Sequence, residues 1–592
     1  MRVSRWSMGA TIVVTGIVAL VPQSAGHAAS PRVLRVGSWH GIKGTFGSIQ
    51  SAVDAAHRGD WVLVGPGDWK ERGDYTTHKP SGGESGWAVT IDVPGLHLRG
   101  MNRNRVVVDG TKRGSAPCSS RRADQDFGPM HAGSHVGRSG IVATKVDNVW
   151  IENLTACNFL GQGNQIWWNG GDGTGKIAMG PYYGSYLSAT TTYYQASDPA
   201  ATYGIFVSNA KGFGKITRTY ASNMNDAAYY IGACPDCNVV LDRPHAENSA
   251  LGYSGTNSGG HLIIQNGEWD QNATGIVSNS QNNDDAPSPQ DGACPSGKGP
   301  TGTASCEVWR NNYVHDNNNP NVPEAGSAAA GPVGTGMVVA GGRNNTLVHN
   351  RITNNKAWGI LTVPYPDTEV PPSAIGQHCQ GGAPNFDLTA LGMTGTVPCY
   401  FSDWGNEIAH NTFSNNGGYG NPTNGDVGDI SQPAPEDPTA TGNCWHDNTD
   451  TGGPLTQSPS TLGTTNGSCP APLWPSTNAV EESVLIAEVS CDSQLLFNCA
   501  PPTGVPAQYP QTTNVKLKAL PTEQTMPDPC AGVPTNPWCA SAANGSGGGT
   551  QGRGAGGGSG GLANTGLTVG LPVAALLLLT TAGILHRRRR TD

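Results

Sequence analysis

Charge is what this chain has least of. Only 13% of its 592 residues are charged, and the basic ones, 35 against 44 acidic, are the minority. So little positive charge cannot build the basic surface that nucleic acid requires, which excludes nucleic acid as a partner. The same deficit excludes tight binding of a polyanionic polysaccharide unless calcium or a local basic patch intervenes. A second pair of ligands beside Cys234-Pro235-Asp236-Cys237 is also missing, which argues against a zinc site there. Glycine (83 residues), Asn, Ser and Thr are plentiful instead. Few charges and many turn formers point to a β-rich extracellular protein.

The two ends carry the long apolar runs. Arg2 and Arg5 precede an apolar stretch from Met8 to Val21, and Gly26-His27-Ala28 supplies small residues at the cleavage positions. This pattern predicts a signal peptide over 1–28, cut after Ala28 or Ala29. At the other end, Leu562-Ala563-Asn564-Thr565-Gly566 precedes a charge-free run from Leu567 to Leu585 and then Arg587 to Arg590. That order resembles the LAxTG form of the signal read by sortases, which join proteins to Gram-positive cell walls. The resemblance implies cleavage after Thr565 and attachment to peptidoglycan, with sortase as a partner. A run of ~20 apolar residues spans a bilayer, and the arginines hold its end on the cytoplasmic side. An ordinary transmembrane anchor over 567–585 is the competing expectation. Losing Arg2, Arg5, Arg587 to Arg590 and Asp592 would leave 29 basic and 43 acidic residues, a net of −14.

Export to an oxidising compartment accounts for the 14 cysteines, an even number. Nearness in sequence suggests Cys294 with Cys306, Cys379 with Cys399, Cys444 with Cys469, Cys491 with Cys499, and Cys530 with Cys539. Cys118 with Cys157 and Cys234 with Cys237 complete the set, although spacing alone does not fix connectivity. The last pair lies between two strand-like runs, which favours a turn staple over a redox pair.

The body of the chain repeats. Asn238-Val239-Val240-Leu241-Asp242 leads to His245-Ala246-Glu247-Asn248. His261 to Asn266 leads to Glu268-Trp269-Asp270-Gln271-Asn272 and then Gly275-Ile276-Val277. Glu307 to Asn312, Asn345 to Asn350 and Asn406 to Asn411 open further units, and Gly359-Ile360-Leu361 closes one. Each unit alternates apolar and polar residues, the mark of half-buried strands, and turns at Asn, which tolerates left-handed backbone. The period is about 23 residues, in the solenoid range. No unit buries its apolar side alone, so the coils must stack, and Asn side chains can then bond in ladders. Ile264, Leu347 and Ile408 should be equivalent, and Ile276, Met337 and Ile360 should all be core.

These repeats resemble the right-handed parallel β-helix of pectin lyase-like proteins. Thr45 to Asp60 looks like that family's capping helix, and Trp61-Val62-Leu63-Val64-Gly65-Pro66-Gly67 like its first strand and turn. The fold expected is all-β: a β-helix over 31–470 with an N-terminal capping helix, then a disulfide-braced cap over 471–540 that plugs the C-terminal end. A flexible Gly/Ser linker (541–561) and the sorting signal with its transmembrane helix (562–592) follow. Asn478 with Glu481 should cap a short helix through Val484, Leu485, Ile486 and Val489. Gly161 to Thr202 lacks the coil pattern and reads as an aromatic-rich excursion.

In this family sugars bind the outer face of one sheet, here the Gly-apolar strands. Phe206 and Tyr230 should point outward on adjacent coils, and Trp167 and Trp168 lie in the excursion. All four are candidate sugar contacts; the alternative is that the excursion covers the first two and uses its aromatics as its own core. Acids near that face are Asp226, Asp236, Asp284, Asp285, Asp367, Asp426 and Asp429. Asn282-Asn283-Asp284-Asp285 resembles the acids of polygalacturonases, making Asp284 and Asp285 candidate catalytic residues. That family's Gly-His-Gly and Arg-Ile-Lys motifs are absent, as is the calcium-and-arginine signature of pectate lyases. The competing role of such Asp is to cap turns. His245, His315, His349 and His410 recur near turns, which suggests a shared structural slot; a metal or proton-transfer role is the competing expectation. No cofactor or metal is expected, with calcium left open. Three functions stay in play: binding an extracellular polysaccharide at the cell surface, cleaving one as a lyase or glycoside hydrolase, or adhering to another surface.

Overall fold

In a computed structural model, the structure describes residues 30–72, 86–131, 134–161, 163–171, 178–234, 236–281, 307–323, 332–367, 379, 381–388, 395–430, 439–473, 478–492 and 509–539. Strands dominate them. One sheet has 19 strands and a second has 11. Within both, paired strands run parallel, as with Gly214–Ser222 beside Val239–Glu247 and Thr274–Asn279 beside Thr335–Ala340. Each coil gives one long strand or two short ones to the larger sheet and one to the smaller, so the chain forms a parallel β-helix.

Register follows the apolar pattern. Ile264, Trp309, Leu347 and Ile408 form one column across successive coils, and all are fully buried. Ile276, Met337, Ile360 and Val427 form another, also fully buried. Glycine precedes the first three members of the second column, and for a steric reason. A Cβ on Gly275 would stand 2.3 Å from the Gly336 carbonyl oxygen, and one on Gly359 2.6 Å from that of Asp426. The chain bends there against the next coil and leaves no room for a side chain.

Asparagines hold the turns together in three ladders. Asn312 donates to Asn350 at 3.0 Å, Asn350 to Asn411 at 3.0 Å, and Asn411 to Asn448 at 3.0 Å. Asn272, Asn317, Asn355 and Asn416 form the second, and Asn345, Asn406 and Asn443 the third. The same oxygens take backbone N–H groups, as Asn350 does from Asn312 at 3.0 Å. Amides buried at a turn need such partners, since an unmade bond costs about 1–3 kcal/mol.

The N-terminal end is closed by the helix Ile49–Asp54, whose first turn is capped by the Ser48 hydroxyl. Ile49, Ala52 and Val53 sit on Leu34 and Val36 of the first coil. The helix is shorter than the stretch expected from sequence, because the chain turns at Ala55 and runs to Asp60, which Arg32 grips.

The described part of the C-terminal region lies along the side of the solenoid. Its helix, Ala479–Asp492, begins at Asn478 as expected, with Val480 N–H donating to the Asn478 side chain at 3.1 Å. Glu481, however, accepts from Ser460 N–H at 2.7 Å. Leu485 and Val489 pack on Val338, Leu361 and Val363, the outward residues of the 11-stranded sheet. The segment 509–539 then runs back as a strap toward the first coils. It bonds in turn to Asn321, Asn248, Asn223, Asn104 and Asn153. It ends with Trp538 donating to the Ile42 carbonyl and packed on Trp61, Leu63 and Met101. Apolar positions in the helix match the sheet's exposed column, which explains why it lies on the side of the solenoid.

The described residues between Gly161 and Thr202 supply strands to both sheets, as a coil does, and do not form an excursion. Gly163–Asn169 pairs with Arg138–Thr144 and Ala201–Ser208 in the smaller sheet, and Tyr182–Thr190 joins the larger. Aromatics hid the pattern because they fill the interior here: Trp168 and Tyr182 are fully buried core residues. Five disulfides pair as expected: Cys118–Cys157, Cys234–Cys237, Cys379–Cys399, Cys444–Cys469 and Cys530–Cys539. Cys491 is disulfide-bonded, and no cysteine is free among the described residues. Cys294 with Cys306, Cys499, the signal peptide, the linker and Leu562 through Gly566 lie outside the described residues, as does the 567–585 run. No helix among the described residues is long and apolar enough to cross a membrane.

Candidate functional site

The outer face of the 11-stranded sheet carries the clearest site. Trp167, Phe206 and Tyr230 stand in one register column on three coils. Trp167 and Phe206 stack with centroids 5.0 Å apart, and Tyr230 meets Phe206 edge-on at 4.9 Å. Tyr203 joins them, stacked on Phe206 at 4.5 Å and 5.0 Å from Tyr230. The register shifts by one residue at Gly163/Asn164, opposite Ala201 and Tyr203. Such a bulge re-aims a side chain, and here it leaves Tyr203 on the same face as Phe206.

The four rings differ in access. Trp167 and Tyr230 are 7% and 6% exposed, while Phe206 and Tyr203 are half-buried. Hydrogen bonds fix the deeper pair: Trp167 Nε1 donates to Ser208 Oγ at 3.0 Å, and Tyr230 OH to the Thr256 carbonyl at 3.2 Å. Trp167 and Tyr230 are thus supports, and Phe206 and Tyr203 offer the open surface. Trp168 is turned into the core and does not belong to this face, a correction that follows from strand alternation one residue after Trp167.

One carboxylate stands beside the rings. Asp226 precedes the strand Ala227–Gly232, and Tyr203 OH donates to its Oδ2 at 3.1 Å. Burial pushes the Asp226 carboxyl up to about 7, against the opposing pull of the Tyr203 hydroxyl. Part of the residue remains accessible. A half-buried carboxyl that titrates near neutrality is equipped to take or give a proton. Its environment, set by a tyrosine from the neighbouring coil, has no signature in sequence.

The other acids have structural partners. Asp426 accepts from Asn416 and Thr456 at the end of a ladder, Asp429 from Trp445 Nε1 at 2.8 Å, and Asp236 pairs with His261 at 2.8 Å. Asp367 is buried in a small antiparallel sheet. Asp284 and Asp285 lie outside the described residues. The histidines do not share one slot. His245 aligns with Glu268, His315 with Asp270, and His349 with His410 one place beyond the aligned Val348 and Ala409.

The larger sheet bears a second aromatic column, Trp61, His97, Trp150 and Tyr183. Their rings stack face to face at 3.9, 5.1 and 3.8 Å, so each covers its neighbour's flat side. Burial, with Arg99 nearby, pushes His97 down to about 4, which keeps the ring neutral. This column stiffens the coils; its flat faces are already spent.

Strand register and buried columns make this chain a parallel β-helix protein. No family model matches it, and no curated protein matches it either. Solved structures do. The mannuronan C-5 epimerase AlgE4 A-module of Azotobacter vinelandii is 14% identical, with 69% of this chain and 91% of that one covered at a TM-score of 0.37. Pectate lyase Pel9A is 12% identical, covering 82% and 89% at 0.32. An alginate lyase of Paenibacillus sp. is 11% identical, covering 56% and 90% at 0.24.

Proposed function

We propose that this is a secreted, cell-wall-anchored surface protein whose right-handed β-helix binds an extracellular polysaccharide on the outer face of its smaller sheet. The observation that carries the reading is the ring group of Phe206 and Tyr203, partly open, with Phe206 flanked by Trp167 and Tyr230 on the coils to either side. Partly open aromatic surface bordered by polar groups suits pyranose rings, which present C–H faces and hydroxyl edges. The acidic balance of the chain favours a neutral glycan over a polyanionic one. Sortase joins Thr565 to peptidoglycan in this scheme, and 541–561 spaces the solenoid from the wall.

The test is a binding screen of the segment 29–539 against a polysaccharide panel, with Phe206→Ala and Tyr203→Ala beside the parent. Each substitution should weaken the bound glycan by about 1–3 kcal/mol, by analogy with stacking of flat ligands on aromatics. A ligand whose affinity neither change alters is held elsewhere.

Asp226 favours a second reading, cleavage of the glycan. The carboxyl then acts as acid or base and Tyr203 holds it in place. Asp226→Asn should abolish turnover and leave binding intact, because the amide keeps the shape and loses the proton. If the parent cleaves nothing on the panel, binding alone stands.

A further inference from the structure

The last coils carry a side-chain cluster that the aromatic face does not use. Val348 aligns with Ala409 in the larger sheet, and Ala409 with His446. The next residue of each coil is therefore equivalent: His349, His410 and Asp447. All three have left-handed backbone, with φ of 54°, 55° and 53°. The shared turn sends their side chains out on one side. His349 stacks on His410 at 5.2 Å, and His410 meets His446 edge-on at 5.8 Å. Donor atoms of His410, His446 and Asp447 lie within 4.8 Å of one another.

His446 is placed between two acceptors. Its Nε2 is 3.1 Å from Glu407 Oε1, and its Nδ1 is 2.8 Å from Asp447 Oδ2. Ionised carboxylates only accept. A neutral imidazole has one N–H, so it satisfies one of them and turns a lone pair on the other. With the proton on Nε2, Glu407 fixes the ring and Nδ1 faces Asp447 as a donor atom. Carboxylate, histidine and metal take this order in built metal sites. The second imidazole, His410, has its Nε2 3.9 Å from the same Asp447 carboxylate.

We propose that His410, His446 and Asp447 form a binding site for a divalent transition-metal ion of the zinc class, with Glu407 as the positioning residue for His446. Two imidazoles and one carboxylate suit zinc, nickel or copper and not calcium or magnesium, which select oxygen ligands. Zinc binds such donors at about 2.0–2.2 Å, which sets neighbouring ligand atoms roughly 3.4 Å apart in a tetrahedron. The His446 and Asp447 atoms, 2.8 Å apart, must part slightly, and the His410 nitrogen, 3.9 Å from Asp447, must close in by about 0.5 Å, within reach of side chains at the surface. The fourth position opens to water. The ion ties the coil of Glu407–Ala409 to that of Cys444–His446.

The cluster at His245, Glu247 and Asp270 is a contrast. Lys518 already neutralises Glu247 at 2.9 Å, and Tyr220 donates to it at 2.6 Å.

Calorimetric titration of metal-free, untagged segment 29–539 with zinc chloride tests the proposal. One saturable site is expected. His410→Asn and Asp447→Asn should each weaken it at least tenfold, and His245→Gln should leave it unchanged. Asparagine keeps the turn, because Asn311 occupies the same slot one coil before His349 with φ of 56°. Unchanged melting of these variants without zinc checks that the fold is kept. Cobalt should give the visible bands of a four-coordinate site in the parent and lose them in His410→Asn. No saturable zinc binding by the parent, or binding indifferent to both Asn variants, overturns the proposal.

Discussion

Replacing Asn350 by Ala is the sharpest perturbation of the stacked turns. Its side chain makes four hydrogen bonds at a buried turn. The oxygen accepts from Asn312 N–H and from the Asn312 amide, both at 3.0 Å. The amide donates to the Trp309 carbonyl at 2.9 Å and to Asn411 at 3.0 Å. Asn350 is 1% exposed, so water does not replace these partners. Alanine leaves the Asn312 N–H and the Trp309 carbonyl without them. Two such groups at about 1–3 kcal/mol each predict a loss of roughly 2–6 kcal/mol. Arg351→Ala, one residue on, is the comparison. Its exposed guanidinium lies over Tyr313, a contact worth about 0.5–1 kcal/mol. Urea unfolding followed by tryptophan fluorescence measures both. A loss at Asn350 no greater than at Arg351 would refute the claim that the ladder carries the turns.

Ile360→Ala should cost about 2–5 kcal/mol in the same assay, because Ile360 is fully buried between Met337 and Val427; a cost under about 0.5 kcal/mol means the register is off by one. Glu307 sits fully inside, and burial pushes it up to about 7 despite donors at Ser258 and Trp309. The folded state therefore holds that proton better than the unfolded chain. Its penalty is absent below about pH 4.5, grows to pH 7 and is full above, on the order of 3 kcal/mol. Glu307→Gln should flatten that fall in stability across pH 4.5–7, and an unchanged pH profile would sink the assignment. Trp538→Ala should free the strap, so that limited proteolysis cuts within 509–539 while the coils resist; equal resistance in parent and variant means the strap is held elsewhere. Intact protein should leave purified walls only after wall hydrolases are added, whereas release by detergent with the tail still present makes 567–585 a membrane anchor.

The coils were legible because their physics is local. Asn turns, Gly before an apolar residue, and period-two alternation are each forced by one coil's contact with the next, so Ile264, Leu347 and Ile408 align as the sequence predicts. Aromatic coils were not legible. Trp167 and Trp168 are adjacent in sequence and face opposite ways, and composition cannot separate a ring that fills the interior from one that braces the surface. The strap was missed for a different reason. Its contacts join residues hundreds of positions apart, as Trp538 joins Ile42, and no periodicity announces a partner at that range. Asp226 appeared among several acids of the sheet, but only the fold sets it beside Tyr203.

Where a glycan sits on the solenoid is the most direct test of the proposed binding face. A crystal structure of segment 29–539 with an oligosaccharide from the tightest binder of the panel decides it. A sugar ring should lie within van der Waals contact of Phe206 and Tyr203, with a hydroxyl near Asp226. A sugar seated on the larger sheet, with Phe206 and Tyr203 untouched, would contradict it.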